Sequence, residues 1–123
     1  MSKFTEFTAF SLLDGTDYQL DDDLVWDVGW KGSGMVRRLP RGFVFNLSVP
    51  RGLRWIISPH NRQILPAAAI HDEILKQGGE IAFASAEFRR ACLARGVDCT
   101  TAWALFFATL IWLQIKKVVS QWN

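Results

Sequence analysis

The adjacent pair His71-Asp72 carries the most chemistry in this chain. Ala67, Ala68, His71, Ile74 and Leu75 recur at i, i+1, i+4, i+7 and i+8, the apolar stripe of an amphipathic helix. That stripe turns the imidazole of His71 inward and leaves Asp72 about 100° round the helix. An inward histidine requires a hydrogen-bond partner, and two readings supply one. In the functional reading, His71 and Asp72 line a pocket with His60, from the loop Ser58-Pro59-His60-Asn61, and with Asn46 from a strand. Imidazole and carboxylate are ligands that zinc accepts. His60, His71 and Asp72 are thus the candidate metal set, and His71 and Asp72 the candidate catalytic pair for metal-assisted or general-base hydrolysis. In the structural reading, His71 is a core histidine bonded to a backbone carbonyl of the Ser48-Val49-Pro50 turn. The structural reading leads, because Asn46 offers a neutral oxygen without the charge that offsets a cation's desolvation. No cofactor is expected, and a divalent metal is not favoured.

Other constellations give less. Cys92 and Cys99 have no histidine near either, match no zinc spacing and read as buried free thiols. The acidic run Asp21-Asp22-Asp23 does not follow a calcium-loop spacing and reads as a solvated turn. There is no phosphate-binding glycine loop, no nucleophile elbow and no histidine pair at i, i+4. The net charge of +2 hides a segregation: residues 1 to 30 hold seven acids and one lysine, and residues 31 to 62 hold seven basic residues and no acid. Neighbouring segments of opposite sign can neutralise one another within the fold. The basic residues are spread over several elements without a recognised binding motif, so no nucleic-acid partner is expected.

The elements that must position these residues read as follows. At 123 residues, half of them hydrophobic, the chain suits one domain with one core, residues 1–47 mainly β and 48–123 mainly α. Phe4, Glu6, Thr8 and Phe10 alternate as a half-buried strand, and Asp14-Gly15-Thr16-Asp17 supplies a hairpin reversal. Tyr18–Leu20, Leu24–Val28, Met35–Leu39 and Phe43–Leu47 extend this into an antiparallel meander. Ser48 before Val49-Pro50 marks a short helix over Pro50–Ile57. A second helix runs from Pro66 to Gly78-Gly79, another from a Ser85 cap to Gly96, and a last from about Thr101 to Ser120. The expected fold class is α+β: a small antiparallel sheet followed by three to four helices.

Arg41-Gly42-Phe43-Val44-Phe45-Asn46-Leu47-Ser48-Val49-Pro50-Arg51, followed by Pro66-Ala67-Ala68-Ala69-Ile70-His71-Asp72, resembles a small family abundant in tailed-phage and prophage genomes, domain of unknown function 1353. The resemblance covers roughly Leu39 to Val97. It implies a phage origin and lends no activity. The chain departs from the family pattern at Asn46, where an aspartate is usual, and at Ser85, where the second helix lacks an acid.

Cys99 to Ile115 is uncharged and apolar nearly all round. Seventeen helical residues reach roughly 25 Å, short of a bilayer core of about 30 Å. A membrane span is therefore not favoured, and other protein subunits, phage proteins or copies of the chain itself, are the expected cover. Trp103, Phe106, Phe107, Leu110 and Trp112 are the expected interface. The leading functional expectation is a phage accessory or structural protein that is not an enzyme. It would be made in the host cytoplasm, since Met1–Glu6 shows no signal peptide, and built into a virion tail or neck. The His-Asp hydrolase, with the cell wall as its substrate by association with a phage origin, is the second reading, and a membrane-anchored lysis protein the third.

Overall fold

A computed structural model describes residues 4–30, 32–47, 49, 54–55 and 57–122. Five short strands and three helices form an α+β fold in the order β1 (Phe10–Asp14), β2 (Asp17–Leu20), β3 (Leu24–Asp27), β4 (Val36–Leu39), β5 (Val44–Asn46), α1 (Leu65–Lys76), α2 (Ile81–Ala94) and α3 (Cys99–Gln121). The helix expected over Pro50–Ile57 falls mostly outside the described residues.

The strands do not form one meander. β1 and β2 make the expected hairpin, but β2 then pairs with β5, and β3 with β4 makes a separate antiparallel ribbon between them. The side-chain pattern explains this split. Phe10, Tyr18, Leu20 and Phe45 all point to one buried face, with Phe10 opposite Leu20 and Tyr18 opposite Phe45. Leu24 and Leu39 face each other across the ribbon, both buried, while Val25 and Arg38 face outward. Each unit thus has its own apolar face, and each alternates with the period of a strand.

The N-terminal alternation is not a strand. Phe4–Glu6 is a 3₁₀ turn, and Phe4 packs at a tilt against Trp26 of the ribbon with ring centroids 4.6 Å apart. An alternating pattern over so few residues also fits a turn that puts Phe4, Phe7 and Phe10 on the core.

α1 is buried along almost its whole length, from Leu65 to His71 and at Ile74. Its three alanines let α2 and β5 approach closely, and α2 in turn carries α3. The turn after α1 depends on its glycines. Gly78 has φ of 84°, and a Cβ on Gly79 would sit 2.5 Å from Ile74 Cγ2. α2 begins four residues before the expected Ser85 cap, at Ile81 after Glu80. Ser85 lies fully buried inside the helix, where its hydroxyl accepts from Thr109 of α3 at 3.2 Å.

Candidate functional site

Four elements converge on a cleft of about 70 Å³. α1 contributes Ala68, His71, Asp72 and Leu75, and α3 contributes Thr109, Trp112, Leu113 and Lys116. Both sets have the i, i+3, i+4, i+7 spacing that lines one face of a helix, so two helix faces form opposing walls. Phe88 of α2 lies between them, and Asn46 and Leu47 close the end.

His71 is inward, as its place in the stripe requires, with 9% of its surface exposed. Its ring lies 5.4 Å from the ring of Phe88. Nδ1 is 3.8 Å from Asp72 Oδ1, too far for a hydrogen bond, and the buried Nε2 has no partner. Asp72 is engaged elsewhere: its Oδ2 accepts the backbone N–H of Asn46 at 3.0 Å. The Asn46 side-chain amide in turn donates to Asp17 Oδ1 at 3.1 Å. This chain of bonds pins α1 to β5 and β2. The carbonyl expected to hold His71, in the turn after Leu47, falls largely outside the described residues.

The cleft brings together His71 and Asp72 but not His60. His60 is exposed, and its Nδ1 lies 2.9 Å from the hydroxyl of Tyr18 on β2. Among the described residues no three His, Cys, Asp or Glu side chains gather where a metal could be held. The proposed trio of His60, His71 and Asp72 is therefore divided between two places. Small-molecule sites are usually ~300 Å³ or more, so the cleft is small beside them.

The two cysteines differ from expectation and from each other. Cys92 is buried and burial pushes its thiol up to about 12, whereas Cys99, read as buried, is exposed at the start of α3. Asp21 to Asp23 behave as a bonded turn: Asp23 accepts from the backbone of Arg41 and from the Arg38 guanidinium. The backbone bond from Arg41 is the main reason its carboxyl lies below the ordinary value. Arg38 thus neutralises an acid from the neighbouring segment, as the charge pattern suggested, while Arg37 pairs instead with Glu73 of α1.

Two polar anchors escaped the sequence reading. Glu87 is 95% buried on α2. Its Oε1 accepts from Trp26 Nε1 at 2.8 Å, from the Gly29 backbone at 3.3 Å and from Arg90 at 3.3 Å. Arg90 also lies 4.3 Å over the Trp26 ring and donates to the carbonyl of Asp27. This cluster fixes the β3–β4 ribbon to α2. Arg95 donates to the carbonyls of Phe4, Phe7, Arg62 and Gln63, joining the N-terminal turn to the approach to α1. Nothing in the local pattern distinguished these residues from solvated helix charges.

α3 is the least covered of the three helices. Ala102 and Leu105 are its only buried residues, while Trp103, Phe107, Ile111, Ile115 and Val118 are 42–55% exposed. Of the expected interface residues, Trp103, Phe107 and Trp112 are exposed, but Phe106 and Leu110 are partly covered. The helix has 23 residues, about 34 Å, not the roughly 25 Å inferred from the uncharged run. Among the described residues it is the one helix long and apolar enough to cross a membrane.

Fold and cleft together define a small α+β domain whose last helix is largely uncovered. The family model for the protein of unknown function DUF1353 matches residues 19–109, and the chain belongs to that family. No curated protein and no solved structure matches it significantly.

Proposed function

We propose that this protein is a small accessory or structural subunit of a tailed-phage or prophage particle, built into a tail or neck assembly through α3. The observation that carries the reading is the solvent-facing apolar surface of α3, set against a domain whose other helices are well covered. An isolated soluble protein gains nothing from leaving Trp103, Phe107 and Ile111 in water, and surfaces of this composition are typical of protein contacts. The first half of α3 is held to α2 by Ala102, Leu105 and the Thr109–Ser85 bond, so only about the last twelve residues could enter lipid. Those span roughly 18 Å, less than a bilayer core of about 30 Å, which argues against an anchored lysis protein.

The test is incorporation. Mass spectrometry of purified particles should find the wild-type chain at defined stoichiometry and should not find the folded Ile111→Asp variant. Wild-type chain absent from particles would sink the reading.

The His71–Asp72 cleft supports the second reading, general-base hydrolysis, through the unpartnered Nε2 of His71. It has neither a carboxylate bonded to the ring nor the volume usual for a small-molecule site, so it stays second.

A further inference from the structure

We propose that α3 pairs antiparallel with α3 of a second copy of this chain, in the register that sets Phe107 of each copy against Ile111 of the other. This rests on the assembly reading and names the first partner.

Ala102 and Leu105 mark the side of α3 that faces α2, and Thr109, Leu113 and Lys116 continue it into the cleft. On the opposite side Thr100, Ala104, Phe107, Ile111, Gln114 and Val118 are all exposed. Their separations alternate four, three, four, three, four, the spacing of a seam that another helix fills. A second α3 run in the opposite direction fits it without adjustment: Phe107 meets Ile111, Ala104 meets Gln114, and Thr100 meets Val118, each pair occurring twice. Such a contact is isologous and closes on itself as a two-fold dimer.

Charge selects the direction. Residues 99 to 115 carry no charge, and Lys116 and Lys117 follow. Parallel helices would set these lysines side by side, whereas antiparallel ones separate the two Lys117 by roughly 24 Å, beyond a Debye length of about 8–10 Å. Antiparallel pairing also opposes the helix dipoles. The area is at the small end of the specific range: Phe107, Ile111 and Val118 on the seam, with Trp103 and Ile115 beside it, expose on the order of 500 Å² per chain, roughly 1,000 Å² for the pair.

The experiment uses the full chain. Light scattering on a sizing column at sub-millimolar concentration should give twice the 14.0 kDa chain mass. Phe107→Glu, at a position already half exposed, should keep its circular dichroism and elute at the mass of one chain. In a Cys99→Ser background, Thr100→Cys with Val118→Cys should form interchain disulfides on oxidation, and neither single cysteine should. The two positions lie about 27 Å apart on one helix, too far to bridge within a chain. Cross-linking by Thr100→Cys alone would mean parallel pairing and would overturn the register while leaving assembly through α3 intact. A dimer that survives Phe107→Glu would move the contact to another surface and overturn the proposal. So would a wild-type chain that stays monomeric, or one that is monomeric and floats with phosphatidylcholine vesicles.

Discussion

α1 and α3 are both strongly apolar helices, yet α1 is buried over most of its twelve residues and α3 at two of its twenty-three. Composition does not separate them, but side-chain size does. α1 presents Ala67, Ala68 and Ala69, so a sheet on one side and α2 on the other can both approach its backbone, and little apolar surface is left over. α3 carries Trp103, Phe107, Ile111 and Trp112, which project too far for one neighbour to cover. A helix built of small residues completes a core, whereas a helix built of large ones around its circumference needs a second neighbour.

The contrast breaks first at Phe88, which packs between the two helices. Phe88→Ala should cost roughly 3–5 kcal/mol in urea unfolding, because it is 1% exposed and supports both His71 and the cleft. Ile111→Ala, measured in dilute solution where the chains are apart, should change stability by less than about 0.5 kcal/mol. Similar losses for the two would mean that α3 is covered within the single chain, and the comparison would fail.

A smaller effect is expected at Glu87. Removing its carboxylate in Glu87→Ala leaves Trp26 Nε1, the Gly29 amide and Arg90 without their shared acceptor, at a cost of roughly 2–3 kcal/mol. Because the loss frees the β3–β4 ribbon and not α1, hydrogen exchange should quicken in residues 24–39 and stay slow in α1. Uniform loosening would show that the ribbon is not separately anchored.

His71 should respond in the opposite sense to a residue with a bonded partner. The sequence pattern alone suggests that its removal orphans a buried group, at a cost. With Nε2 unpartnered and Asp72 bonded to Asn46 instead, His71→Leu should leave stability unchanged or raise it by about 1 kcal/mol. A loss above about 2 kcal/mol in the urea midpoint would reveal a partner for the ring and restore the tie between helix and sheet.

What the sequence disclosed was what is local. Strand alternation located β2 to β5 within a residue or two but set the first strand at Phe4 to Phe10, ahead of β1, and alanine spacing located α1 and turned His71 inward. What it concealed depends on contacts distant along the chain. β2 pairs with β5, not with β3, because Tyr18 and Phe45 share a core face 27 positions apart, and no local period encodes that choice. His60 is drawn to Tyr18 and so away from His71. Glu87 and Arg95 look like surface charges because helix propensity and polarity are the same whether such residues are solvated or enclosed. Ser85 looked like a cap because serine is favoured there, but the helix already runs through it and the hydroxyl meets Thr109. In α3 the apolar residues were plain, but their faces were not. The last buried turns fix which side meets α2, and only then does the opposite seam of Phe107, Ile111 and Val118 appear in place of Phe106 and Leu110.

The smallest effect sharpens the contrast at the start of α3, where the helix is docked. Asp98 caps it, accepting the Thr101 hydroxyl at 2.6 Å and the Thr101 backbone N–H at 3.0 Å. The hydroxyl bond and then the backbone bond hold its carboxyl below the ordinary value of 3.8. A depressed carboxyl contributes stability that is fully present above 3.8 and disappears as pH falls through the lowered folded-state value. Acid should therefore fray the first turn of α3 before the sheet or α1 responds. Protection of the Thr101 and Ala102 amides, taken relative to their intrinsic exchange rates at each pH, should fall between pH 4 and pH 2 in the wild type. In Asp98→Asn the protection of the same amides should no longer step with pH in that window. If the step persists in the variant, another acid holds the start of α3, and the docked half of the helix is fixed by something other than its cap.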